Sequence, residues 1–408
     1  MHGLVRDAEG QKMSKSKGNV LDPLDIIDGI ELPSLIEKRT HGLMRPKDAE
    51  KITKATQKEF PEGIAAHGTD ALRFTFAALA STGRDVKFDM KRVEGYRKFC
   101  NKIWNAARYV HGHIAGLDLA AAPAATTAID RWIEHRCNQL CRQVAEHFAE
   151  FRFDLLAQSL YEFIWNDYCD WYLELTKPVL NGPDGPERQA TLATLARVLE
   201  RSLRLLHPLM PFLSEELWLG LRPILQLSGD SIMLQAYPLY TSAAEDAAAE
   251  TDIVWLQAVV GAVRNMRSEL AIAPGKHVQL LLRQGQDEDR ERSQRLAPWL
   301  HSLARLESLR WLATEEALPV TATQMIAQLE IHMPLAGLID LKAEAQRLRK
   351  ELQRITQDIA RVESKLSSSS FIERAPAEVV NKEKTHRDEL ALAQQRLSAQ
   401  LTQIESTL

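Results

Sequence analysis

Apolar residues recur at three- and four-residue steps through most of the chain, the mark of helices that bury one face. The pattern is strongest from Lys91, where Val93, Tyr96, Cys100, Ile103, Ala107 and Val110 fall on one stripe. It returns over Ile129–Phe148, Leu155–Leu175, Ala190–Leu206 and Pro211–Leu221. Proline and glycine punctuate these segments, most densely at Asn181-Gly182-Pro183-Asp184-Gly185-Pro186. Such a series predicts an antiparallel helix bundle. Ahead of it, Asp22-Pro23 followed by Asp25 predicts a short helix. Asp22 can accept from the free amides, Pro23 needs no amide partner at the first position, and Gly29 closes the turn. Another helix opens at Thr69 and runs from Asp70 to Ala80, with Leu72, Phe76 and Leu79 on one face.

Over residues 252–335 the period changes. A helix around Trp255–Leu270 precedes Val278-Gln279-Leu280-Leu281-Leu282, which reads as a strand. A further helix and strands at Leu309–Leu312 and Leu329–Met333 complete a small mixed α/β unit. Then Leu341, Ala345, Leu348, Leu352, Ile355, Ile359, Val362 and Leu366 alternate steps of four and three, a heptad seam. Serines 367–370 interrupt it, and a second seam follows through Leu390, Leu397, Leu401, Ile404 and Leu408. A helix of about 26 residues is about 39 Å long. Two joined by a short break predict an antiparallel hairpin, with pairing between chains as the alternative.

Composition narrows the class. The chain has 408 residues, 45% of them hydrophobic, enough for several cores. No uninterrupted apolar run is long enough for a membrane span and no secretory leader is read, so cytoplasmic residence is expected. The net charge of −4 argues against wholesale coating by nucleic acid, yet basic residues outnumber acidic ones over residues 1–110. Local basic patches can still hold phosphate. Cys100, Cys137, Cys141 and Cys169 form no Cys-x-x-Cys pair, so buried reduced thiols are expected and no protein-bound metal. Most of the tryptophans are expected in the core.

The densest chemistry lies in Lys12-Met13-Ser14-Lys15-Ser16-Lys17-Gly18-Asn19. Three lysines spaced by small hydroxyl residues make a cationic loop that can fold over a triphosphate. A solvated basic loop, or a short lysine-rich localisation signal, is the plainer account of the same composition. The string is no Walker loop, because Gly-x-x-x-x-Gly-Lys-Ser/Thr is absent. It matches the KMSKS signature of the class I aminoacyl-tRNA synthetases, with matching flanks in Gly3-Leu4-Val5-Arg6-Asp7 and Gly18-Asn19-Val20-Leu21-Asp22-Pro23. The resemblance continues through His67-Gly68-Thr69-Asp70-Ala71-Leu72-Arg73-Phe74, Asn101-Lys102-Ile103-Trp104-Asn105-Ala106, Trp165-Asn166-Asp167-Tyr168-Cys169-Asp170-Trp171-Tyr172 and His207-Pro208-Leu209-Met210-Pro211-Phe212. Each string alone is compatible with core packing; their order along one chain carries the resemblance.

The resemblance implies that Lys15 is the main ATP phosphate contact, that Lys12 supports it, and that Ser14 and Ser16 hold the loop's shape. ATP is then a substrate and arrives with Mg2+. Valine-specific members of the family are resembled best, through Thr69, through Gly83-Arg84-Asp85, and through a terminal arm with Phe371, Arg374-Ala375-Pro376 and Val379-Val380 at its turn. The isoleucine or leucine branch, or a non-catalytic tRNA-binding protein, are the competing expectations. Implied partners are tRNA-Val, valine and ATP, with the chain a monomer. The fold expected is mainly α. Residues 1–90 would end a Rossmann-type catalytic domain, 91–240 form a helical anticodon-binding domain, 241–335 a small α/β extension and 336–408 a coiled-coil tRNA-binding arm. Lys91, Arg92, Arg97, Lys98, Lys102 and Arg108 on the first bundle helix are candidate phosphate contacts, and so are Arg347 and Lys350 in the arm beside Arg349 and Arg354. Solvated faces, and pairing with Glu344, Glu351 and Asp358 in the arm, are the alternatives. No His-Ile-Gly-His string precedes the loop, and no amino-acid pocket or editing region is read. The chain by itself is therefore expected not to form valyl-adenylate without an N-terminal catalytic half.

Overall fold

The computed structural model describes residues 3–81, 85–338, 341–367 and 377–405, which divide into two units, 1–253 and 254–408. It is mainly helical, with two small sheets. In the first unit, strand β1 (Val5–Arg6) pairs in parallel with β2 (Val86–Lys87). Helix α1 (Pro23–Asp28) starts as its sequence requires, with an Asp22 carboxylate oxygen accepting the Leu24 amide at 3.0 Å. Helices α2 (Leu32–Thr40) and α3 (Ala49–Glu59) flank a small core of Leu35, Phe60 and Ile64. Helix α4 (Thr69–Leu79) buries Ala71, Leu72, Phe74 and Thr75, whereas Phe76 and Leu79 are half-buried. The stripe moves because α5 (Met90–Ile114) and α7 (Phe153–Glu162) both pack on it.

The bundle continues with α6 (Ala128–Ala149), α8 (Leu173–Leu180), α9 (Pro186–Leu206) and α10 (Pro211–Leu221). Apolar residues surround α9 on nearly every side, and it is correspondingly buried from Ala190 to Leu206. In α5 the buried residues include Phe99, which lay outside the stripe read from sequence, while Tyr96 and Cys100 are half-buried. The Phe99 ring lies 5.3 Å from Phe74 and 4.8 Å from Tyr161, so aromatic packing recruits it. The single helix expected over Leu155–Leu175 is instead three pieces, because Phe163–Tyr172 is a π-helix between α7 and α8. A buried polar knot ties the bundle. The Asp130 carboxylate accepts from Thr127 Oγ1 at 2.7 Å, Tyr172 Oη at 2.6 Å and Thr191 Oγ1 at 2.6 Å.

The division between units falls within α11 (Ala247–Glu269), longer than the helix expected there. Beyond it, β3 (Val278–Gln284), α12 (Asp287–Arg295), α13 (Ala297–Ala304), β4 (Leu306–Trp311), β5 (Thr321–Ile326) and β6 (Leu329–Pro334) build a four-stranded sheet ordered β4-β3-β6-β5. The crossover from β3 to its parallel neighbour β4 uses two helices where one was expected. Strand β5 was not anticipated, because Thr321-Ala322-Thr323-Gln324-Met325-Ile326 mixes polar and apolar residues without a clear alternation; it is held by antiparallel pairing to β6. Helix α14 (Leu341–Ser367) packs antiparallel on α15 (Ala377–Glu405), since Arg349 pairs with Glu405 at 2.6 Å and Lys365 with Glu383 at 3.3 Å. Ala345, Leu348, Ile355 and Val362 are the buried seam of α14. Expectations resting on Gly83, Arg84, Phe371, Arg374-Ala375-Pro376 and Leu408, and on the side chains of Leu341, Val379, Val380 and Ile404, lie outside the described residues.

All four cysteines are free; Cys137, Cys141 and Cys169 are buried and Cys100 half-buried. Of the tryptophans only Trp132, Trp218, Trp255 and Trp299 are buried, and Trp104 is exposed, which corrects the expectation that most lie in the core.

Candidate nucleotide and RNA sites

The lysine-rich loop is braced by the residues around it. After β1 the chain turns at Asp7–Gly10, where the Gly10 amide donates to the Asp7 carbonyl at 2.9 Å. One Asp7 carboxylate oxygen accepts the Gln11 amide at 2.6 Å, and the other accepts Asn19 Nδ2 at 2.9 Å. Asn19 also takes the Ser14 amide on its Oδ1 at 2.9 Å and donates to the Lys12 carbonyl at 3.2 Å. One amide side chain thus closes both ends of the loop. Between them, Lys15–Lys17 form a single 3-10 turn that Gly18 ends at φ 66°. A Cβ at Gly18 would lie 2.5 Å from the Arg39 carbonyl oxygen, so both the left-handed backbone and the close approach require glycine here. Arg39 Nε donates to the Gly18 carbonyl at 2.9 Å, and its guanidinium pairs with Glu59 at 3.2 Å. At the base, Asp85 accepts from the Leu4 amide at 2.9 Å and from Arg6; together these hold its carboxyl below the usual range.

This bracing presents Lys12, Lys15 and Lys17 to solvent, and among the described residues none of the three forms an ion pair. Ser14 Oγ and Ser16 Oγ lie 3.2 Å apart and stiffen the turn. Beneath Lys15 opens a cleft of about 580 Å³ whose wall includes Gly18, Asp22, Asp25, Lys38 and Arg39. Lys38 is drawn toward the Asp25 carboxylate at 2.5 Å, and that hydrogen bond raises its pKa. Uncompensated ammonium groups on a short rigid turn repel one another, and a polyanion relieves that repulsion.

The basic row on α5 divides. Lys91, Arg92, Arg97, Lys98 and Arg108 are exposed, with Lys98 paired to Glu94 at 2.8 Å. Lys102 turns inward: it pairs with Asp170, and its ammonium lies 4.6 Å above the Trp165 ring. In the second unit Arg347 pairs with Glu351 at 3.4 Å and Arg354 with the same carboxylate at 3.3 Å, while Lys350 is exposed. Among the described residues no group of three or more His, Cys, Asp or Glu could hold a metal ion, and no helix is long and apolar enough to cross a membrane.

Two strings noted in the sequence meet in space with a role their spacing did not reveal. Helix α10 begins at Pro211, and its N-cap Met210 offers no side-chain acceptor. Asp70 on α4 supplies one, accepting the Leu213 amide at 2.6 Å and the Phe212 amide at 3.4 Å. Arg73, one turn on, donates to the Pro208 and Leu209 carbonyls at 3.0 and 3.2 Å. The pair clasps both sides of the α9–α10 turn. Its signal was the Asp-x-x-Arg spacing, which puts both side chains on one helix face but cannot name a partner in a distant helix.

Comparison with known proteins follows the same order along the chain. The family model for tRNA synthetases class I (I, L, M and V) matches residues 1–89. That for the anticodon-binding domain of tRNA ligase matches 130–282, and that for the valyl tRNA synthetase tRNA binding arm matches 340–405. The valine--tRNA ligase of Acinetobacter baylyi is 51% identical over 395 residues, covering 96% of this chain and 41% of the relative. Those of Xanthomonas campestris pv. campestris (strain B100) and Stenotrophomonas maltophilia (strain K279a) are 51% and 52% identical, each over 94% of this chain and 41% and 40% of their own length. The chain spans about two-fifths of the length of the curated relatives it matches. Three family models of class I tRNA synthetases and tRNA ligases thus match in order along the chain, and half of its residues are identical to those of valine--tRNA ligases over more than nine-tenths of its length.

Proposed function

We propose that the chain serves valine--tRNA ligation, the ATP-dependent attachment of valine to tRNA-Val through valyl-adenylate, and that it supplies the phosphate clamp and the tRNA-holding surfaces. The observation that carries this reading is the braced loop at residues 12–19, which presents three lysines that form no ion pair among the described residues. Lys15, at the rim of the cleft, is the main contact for the ATP phosphates and Lys12 the second; Ser14 and Ser16 keep the turn in shape. Mg2+ enters with the nucleotide. As charge shifts to the departing pyrophosphate, the fixed ammonium groups stabilise it more than they stabilise bound ATP, which is what lowers a barrier.

In this reading residues 1–90 end a Rossmann-type catalytic domain. Residues 91–240 read the anticodon, with Lys91, Arg92 and Lys98 toward the RNA backbone, while Lys102 stays committed to Asp170 and the Trp165 ring. Residues 241–335 extend that domain, and 336–408 form a coiled-coil arm that uses Arg347 and Lys350. The protein works in the cytoplasm as a monomer. The sequence holds no His-Ile-Gly-His string, so adenylate formation needs the catalytic half that the family resemblance implies.

The test is Lys15→Ala in an enzyme that joins this chain to that half. Valine-dependent ATP–pyrophosphate exchange should fall about 100-fold, the scale of losing one preorganised transition-state contact, with tRNA-Val affinity unchanged. Exchange at the unmodified rate would refute the clamp.

A further inference from the structure

A second cleft, of about 670 Å³, lies in the first unit between α4, α5, α7 and the π-helix, lined by Arg92, Gly95, Tyr96, Gln158, Tyr161 and Asn166. Its aromatic wall is ordered from behind. Tyr161 stacks on Trp165 with centroids 5.3 Å apart and planes 18° apart, and Tyr96 meets Tyr161 edge-on at 6.2 Å. Behind them Phe74 and Phe99 are fully buried. Trp165 and Asn166 stand on the π-helix, a rare departure from the α-turn that is frequent at functional sites.

Gly95 is the telling residue. It sits inside a 25-residue helix, where glycine costs about 1 kcal/mol against alanine. Apart from its chain neighbours and the local helix backbone, no atom of the described residues lies within 4 Å of where its Cβ would be, so packing between elements does not demand it. The missing side chain leaves space in the cleft wall.

We propose that this cleft receives one unpaired nucleobase of RNA. The base would lie against the Tyr96 and Tyr161 rings over Gly95, with the Asn166 and Gln158 amides at its edge and Arg92 toward its phosphate. Asp154 and Glu162 also line the cleft and favour a base that presents amino donors; Asp154 is already held by Arg152 at 2.8 Å. Stacking and edge hydrogen bonds are how unpaired RNA bases are recognised. Because the lining carries both signs of charge, this contact contributes affinity with little salt dependence, unlike a row of phosphate contacts. The inference rests on the RNA-binding reading above and adds a site to it.

The probes are an unstructured RNA heptamer and a tRNA-Val transcript, each titrated against the 408-residue chain, Gly95→Ala and Gly95→Leu. Gly95→Ala should raise the melting temperature, because the helix gains a better former, yet weaken heptamer binding several-fold. Gly95→Leu should weaken it more than ten-fold. Asn166→Ala, which leaves the backbone alone, should weaken it several-fold. Equal heptamer affinity in all four proteins, or no heptamer binding by the unmodified chain, overturns the cleft. If the heptamer binds as expected but the transcript does not, the transfer-RNA reading fails and the cleft stands. If the transcript binds and the substitutions leave both probes unaffected, the cleft fails and that reading stands.

Discussion

At the scale of single residues, Asp130 carries the sharpest consequence. Its carboxylate is fully buried and takes three hydroxyl donors from Thr127, Tyr172 and Thr191. Burial raises its pKa, and the three hydrogen bonds only partly offset that. A carboxyl whose pKa is higher folded than unfolded holds its proton better in the native state. Its contribution is therefore full below the unfolded pKa and is lost as pH rises through the folded value. The stability advantage of the native chain over Asp130→Asn should shrink as pH rises from 3 toward neutrality, read by urea midpoints for the first unit. A difference independent of pH would contradict it. Asp130→Ala should cost about 3 kcal/mol at acid pH, because it strands buried hydroxyls, and less as pH rises. The loop lysines, by contrast, were legible as residues: a dense run of cations separated by serines needs no tertiary context to be noticed. What Asn19 and Asp7 do was not legible, because closing a loop by side-chain hydrogen bonds leaves no periodic trace.

At the scale of elements, the meeting of α4 with α10 is held by polar contacts as well as packing. Because α10 begins at Pro211, the amides of Phe212 and Leu213 in its first turn have no intrahelical partners, and Asp70 answers both. Asp70→Ala should lower stability by about 1–2 kcal/mol, the range for losing a helix cap. It should also speed hydrogen exchange at the Phe212 and Leu213 amides while leaving the middle of α9 protected. Exchange at those two amides no faster than in the native chain would count against the clasp. The helices were legible because each buries a continuous stripe, and the start of α1 because Asp22 and Pro23 mark it, whereas α9 begins at Pro186, inside the string read as punctuation. The π-helix was not, since its turn differs from an α-turn by less than one residue and the apolar spacing of Leu155–Leu175 fits either. Strand β5 was hidden for a different reason: its stability comes from β6, not from its own mixed sequence.

At the scale of the whole molecule, the two regions proposed to face RNA differ in their electrostatics. The arm's cations are largely committed: Arg347 and Arg354 share Glu351, Arg349 holds Glu405, and Arg361 holds Asp358 at 3.2 Å. Such exposed pairs are weak, so phosphates can displace them, but each displacement returns part of the gain. Removing residues 340–408 should weaken tRNA-Val binding and make the log–log salt slope shallower by about 1–3, the worth of a few released counterions. An unchanged slope would mean that the arm touches no phosphate. The sequence by itself determined the helical class, the heptad-patterned terminal pair and the cationic loop. These follow from local rules, namely side-chain spacing, cap chemistry and the density of like charges, which hold wherever the segment lies. Tertiary structure decided which lysines stay unpaired among the described residues, which acid caps a helix start 142 residues away, and which residues line the second cleft. Each of those depends on the distance between groups far apart in the chain, and no local pattern encodes a distance.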